Sequence, residues 1–76
     1  MEENKLQLNF FVLTEEQYNG EQPYNTTDTE EIIDILDETY DLESYLTDAQ
    51  VNWEKVAEGE YRIIDDFGNI QYYIEK

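Results

Sequence analysis

Thr27-Asp28-Thr29-Glu30-Glu31-Ile32-Ile33-Asp34-Ile35-Leu36-Asp37-Glu38-Thr39-Tyr40-Asp41 is the stretch on which the fold turns. On a wheel at about 100° per residue, Ile32, Ile33, Ile35, Leu36 and Tyr40 fall on one side. Glu30, Glu31, Asp34, Asp37, Glu38 and Asp41 fall on the other. The spacing predicts an amphipathic helix over 29–40. Asp28 with Glu31, or Thr27 with Glu30, would form a capping box at its start, and acids there suit the positive end of a helix.

Downstream, Leu42, Tyr45, Leu46 and Ala49 follow i, i+3, i+4, i+7, which predicts a short second helix over 42–49 with Asp41 as its cap. Upstream, Leu6, Leu8 and Phe10 alternate with Gln7 and Asn9 before Phe11, Val12 and Leu13 run on as apolar residues. That pattern is a strand over 5–13 that becomes buried on both faces. Between them, 14–25 has no period. Asn19-Gly20 and Gln22-Pro23 mark turns, and Tyr18 and Tyr24 are expected to fold back onto the body.

Tyr61-Arg62-Ile63-Ile64-Asp65 and Ile70-Gln71-Tyr72-Tyr73-Ile74 are rich in β-formers. Asp66-Phe67-Gly68 between them suits a hairpin loop, with Gly68 supplying positive φ. Val51 to Ala57 fits a strand through Val51, Trp53 and Lys55, or a helix through Trp53, Val56 and Ala57. A strand would complete a meander, and we read it so. The expectation is one α+β domain over 1–76: a strand, an amphipathic helix, a short helix, then a C-terminal antiparallel meander, with the helices on one sheet face. Tyr61, Ile63, Ile70, Tyr72 and Ile74 are candidate core residues, as are Tyr40 and Tyr45. Tyr18, Tyr24 and Tyr73 are the tyrosines expected outside.

Charge bounds the function. The 76 residues carry 20 acids and four bases, a formal net charge of −16, with a mean hydropathy of −0.81. Four bases cannot supply the basic footprint that phosphate recognition needs, so direct nucleic-acid binding is excluded. No cysteine and no histidine are present. That removes disulfides, thiolate zinc sites and the commonest general base. Paired carboxylates could serve as acid and base, but among 20 acids chance pairs are inevitable, so no catalytic residue is assigned. Asp37 to Asp48 echoes an EF-hand loop. It departs from that pattern at the sixth position, where Leu42 replaces glycine, and at the twelfth, where Asp48 replaces glutamate. No metal and no cofactor are expected. Asp66-Phe67-Gly68 spells a kinase magnesium motif without any other kinase element, and reads as turn chemistry. The first residues are not the basic start of a signal peptide, and the reading is a cytoplasmic protein of a bacterial host cell.

From Leu6 to Glu54 there is no lysine or arginine, and 13 acids lie in that span. On a helix, Glu30 to Asp41 would cover roughly 17 Å, about one carboxylate per 3 Å, against one phosphate per about 3.4 Å in a DNA strand. A solvated surface accounts for many charge runs, but a solubility role needs a net charge of only about 2–8. In length, charge and this base-free acidic stretch the chain resembles the small acidic inhibitors of phages and mobile elements that mimic DNA. These include anti-restriction, anti-CRISPR and uracil-DNA glycosylase inhibitor proteins. The resemblance lies in composition and carries no motif. It implies a basic nucleic-acid-binding protein as partner: a nuclease, Cas effector, restriction enzyme or glycosylase. The carboxylates expected to meet it are Glu30, Asp34, Asp37, Glu38, Asp41, Glu43 and Asp48. The alternative is an acidic adaptor or antitoxin-like protein that neutralises a basic partner without mimicking DNA.

Overall fold

The computed structural model describes residues 6–76. Lys5, where the first strand was expected to begin, and the leading residues read for a signal peptide lie outside them. The elements run β1 (Leu6–Thr14), α1 (Glu15–Tyr18), α2 (Thr26–Thr29), β2 (Glu30–Ile35), α3 (Leu42–Asp48), β3 (Asn52–Ala57), β4 (Glu60–Ile64) and β5 (Ile70–Glu75). The strands form one antiparallel sheet in the order β2-β1-β5-β4-β3. The α+β class, the first strand, the 42–49 helix and the C-terminal meander stand as the sequence predicts.

The predicted 29–40 helix does not form. Of its residues only Thr29 is helical, as the last residue of the single turn α2, and Glu30–Ile35 is instead the edge strand β2. Ile32, Ile33 and Ile35 are β-branched and stiff at χ1, which disfavours a helix and suits a pleated surface. The helix would also have stacked like charges, Glu30 on Asp34 and Asp37 on Asp41, without one base to relieve them. Pairing with β1 removes both penalties. Leu6 meets Ile35, Leu8 meets Ile33 and Phe10 meets Glu31.

Cross-strand partners share a face, so the registers define two surfaces. One carries Leu8, Phe10 and Val12 from β1, Ile33 and Ile35 from β2, Tyr73 from β5, Tyr61 and Ile63 from β4 and Trp53 from β3. Helix α3 lies across it, with Leu42 and Leu46 fully buried in this core. Phe10 sits at its centre, its ring 5.1 Å from that of Tyr73 and 5.7 Å from that of Tyr45. Tyr73, expected outside, is thereby half-buried.

The opposite face is covered less fully. Leu13 and Tyr72 are buried there, under the ring of Tyr18, which stacks on Tyr72 at 3.9 Å and 2°. Tyr18 belongs to α1, in the segment read as aperiodic. Thr14 and Gln17 close a reciprocal capping box at its start. The helices thus divide: α3 covers the main core and the one-turn α1 brings its tyrosine to the other face. Tyr24 stays exposed.

The β4–β5 loop confirms the turn reading. Asp65 accepts hydrogen bonds from the amides of Phe67 and Asn69, and Gly68 takes φ +85°, a conformation costly for any residue with a Cβ.

Candidate partner-binding surface: an acidic depression and an apolar groove

The loop from Leu36 to Asp41 crosses from β2 to α3, and it organises the acids. Asp37 accepts from the Thr39 amide and hydroxyl, both at 2.9 Å. Asp41 is the N-cap of α3, accepting from the Ser44 amide and hydroxyl at 2.9 Å. These backbone and side-chain donors hold both carboxyls below the usual carboxylate range. Glu43, in the first turn of α3, accepts from the Tyr61 hydroxyl at 2.8 Å and lies 3.6 Å from the Lys55 ammonium. Asp48, at the last turn, accepts from the Tyr40 hydroxyl at 2.8 Å.

Asp37, Asp41, Glu43 and Asp48 therefore line one open depression of about 580 Å³, floored in part by Trp53 and Tyr40. Four of the seven carboxylates selected from the sequence come together. The other three do not join them. Glu30 starts β2 and is paired with Lys76. Asp34 projects from the sheet face opposite α3 and accepts from the Gln7 amide at 3.2 Å. Glu38 is exposed in the loop and does not line the depression. The evenly spaced carboxylate ladder expected of a helix is absent. A strand rises about 3.3 Å per residue, so β2 spreads Glu30, Glu31 and Asp34 over roughly 13 Å and puts Glu31 on the face opposite the other two.

On the other side of Tyr40, Ile33, Ile35, Leu36, Tyr40 and Tyr45 line a groove of about 410 Å³, with Asp37 shared between groove and depression. Leu36 is fully exposed beside it. Reading 29–40 as a helix hid this groove. Its sequence signal is the alternation of Ile33 and Ile35 with Asp34, which places both isoleucines on one side of a strand.

Among the described residues, Lys55 is the one base in ion-pair contact with the depression; Arg62 pairs with Glu54 and Lys76 with Glu30. No group of three or more potential ligands among the described residues is arranged to hold a metal ion, and none of their helices is long and apolar enough to cross a membrane. No family model matches the chain, and neither a curated protein nor a solved structure shows detectable similarity to it.

Two predictions concern these hydrogen bonds. Asp41→Ala removes the cap of α3 and is expected to cost about 1 kcal/mol, read as a lower urea midpoint with unchanged slope. The tyrosines give the alkaline limit. Burial, then the bond to Glu43, raises the Tyr61 hydroxyl well above its ordinary value. Glu60 raises Tyr18 and Asp48 raises Tyr40, each chiefly through a hydrogen bond. Unfolded chains release these protons near pH 10 while the folded chain keeps them, so the unfolded state then binds fewer protons. The stabilisation is complete below about pH 10 and is lost as pH rises past it. Absorbance at about 295 nm should show Tyr18, Tyr40 and Tyr61 ionising above the ordinary phenol value, near 10. An absorbance change near that value that accounts for all seven tyrosines in a folded chain would contradict it.

Proposed function

We propose that the chain is a stoichiometric protein inhibitor whose carboxylates stand in for nucleic-acid phosphates and block the basic DNA- or RNA-binding channel of a bacterial defence or DNA-processing enzyme. The observation that supports this reading is the gathering of Asp37, Asp41, Glu43 and Asp48 around one depression on a chain of formal charge −16. Their bonds to Thr39, Ser44, Tyr61 and Tyr40 fix the acids in place. A partner's arginines then meet a pre-set charge pattern, which cuts the ordering cost of binding, and can engage it bidentately. Isolated surface pairs are worth little. Affinity must therefore come from several pairs together with an apolar contact, for which the neighbouring groove is available. It should weaken as salt rises.

The apolar groove also favours a second reading, an acidic adaptor or antitoxin-like protein that holds a basic partner away from its nucleic-acid site. Competition separates the two. Tagged protein is incubated with bacterial lysate at physiological salt, and bound enzymes are challenged with duplex DNA. A phosphate mimic is displaced by DNA and titrates its enzyme one to one. An enzyme that stays bound under excess DNA, with DNA bound alongside, refutes mimicry and leaves the adaptor.

A further inference from the structure

The sheet has two edges, and they differ. Strand β3 is blunted by a bulge between Lys55 and Ala57 and carries Lys55 itself, both recognised devices against strand addition. Strand β2 has neither. The direction of its main-chain groups follows from one hydrogen bond. The Lys76 amide donates to the Asn9 carbonyl, so Asn9, and by alternation Phe11 and Leu13, aim at β5. Leu6, Leu8 and Phe10 then aim at β2, where they oppose Ile35, Ile33 and Glu31. Ile32 and Asp34, out of phase with these, direct their N–H and C=O groups away from the sheet. Ile32 is 55% exposed.

A strand laid along this edge would alternate its side chains with the pleat of β2. Residues opposite Ile33 and Ile35 would enter the apolar groove beside Tyr40 and Tyr45. Residues opposite Asp34 would stand on the other face, against its carboxylate. The acids Glu31, Asp34 and Asp37 surround the edge. A second copy of the chain would set these acids against themselves and join two bodies of formal charge −16, whereas lysine or arginine at alternate positions would be complementary.

We propose that β2 takes up an extended, cationic segment of a partner protein as a sixth strand, its alternate aliphatic side chains seated in the groove between β2 and α3. Main-chain bonds to Ile32 and Asp34 would set the register and the groove would select the side chains. The inference rests on the proposed function only in the positive charge of the partner. It adds the apolar anchor that charge pairing alone does not supply.

The test uses the full chain, an acetylated and amidated hexapeptide alternating lysine with valine, and a control with serine for each valine. Amide hydrogen exchange is followed at Ile32 and Asp34. The lysine–valine peptide should slow both about tenfold or more, the signature of new main-chain bonds, while the lysine–serine peptide leaves them unchanged. Ile32→Pro removes an outward N–H at an edge position that tolerates proline and should abolish the protection. Ile32→Lys, which keeps the strand and repels the cationic peptide, should do the same if the proline variant fails to fold. Equal shifts with both peptides around Asp37–Asp48, without protection at β2, would overturn strand addition and leave phosphate mimicry standing. Protection of Ile32 and Asp34 in the free protein at twice the monomer mass would overturn it in favour of a second copy. Uptake of the peptide by a protein that DNA cannot displace from its enzyme would refute mimicry alone.

Discussion

Phe10→Ala is expected to leave no stable folded state at room temperature. The side chain is 2% exposed, on a strand flanked by β2 and β5 and beneath α3. It is the one ring that meets both Tyr45 of the helix and Tyr73 of the central strand. Truncating a buried phenylalanine costs about 3–5 kcal/mol, and a chain of this size draws only about 3–5 kcal/mol from its core. Self-repulsion of the acids narrows the margin further. Near-ultraviolet circular dichroism and amide dispersion should both collapse, while Phe10→Leu, which keeps most of the volume, should retain them. A dispersed Phe10→Ala spectrum with less than about 1 kcal/mol lost in urea would mean that the core is not centred on this ring.

The second large effect is on binding. Asp37→Lys combined with Asp48→Lys should lower affinity for the target about hundredfold, roughly 2.7 kcal/mol, and leave the fold intact. Both acids are exposed, and neither caps α3. Each gives up only its surface bonds to Thr39 or Tyr40. The loss should appear first in the association rate, because charges at such a rim steer encounter. Glu21→Lys with Asp66→Lys makes the same change in net charge on exposed loops that do not line the depression, and should cost far less. Equal losses for the two pairs would show that bulk charge, not the arrangement around α3, carries the interaction.

The particular residues show what could be read in advance. β1, α3 and β4 declare themselves through a local period, Leu6-Leu8-Phe10, Leu42-Tyr45-Leu46 and Tyr61-Ile63, whereas Val51 to Ala57 fits a strand and a helix alike and is settled by the meander it completes. The 29–40 segment does not declare itself either. Its apolar residues satisfy a helical wheel, and Ile33 and Ile35 equally satisfy a strand, so the decision belongs to β1, about 25 residues upstream, through pairing that no local window contains. The four-residue α1 was legible, since Thr14 and Gln17 are a capping box, but its short apolar content hid it. For the site, residue type identified the right acids in part. Asp37, Asp41, Glu43 and Asp48 converge because Asp41 caps a helix and Asp37 turns the loop before it. Glu30 and Asp34 fall away because β2 is extended.

The central seam of the sheet joins β1 to β5, strands more than 50 residues apart in the chain. During synthesis, Phe10 to Leu13 emerge long before Tyr72 and Ile74 exist to pair with them. For that interval the nascent chain presents an open, apolar strand of the kind that seeds aggregation. The 13 acids between Leu6 and Glu54 are made in the same interval. They keep neighbouring nascent chains apart by repulsion until the last strand closes the seam.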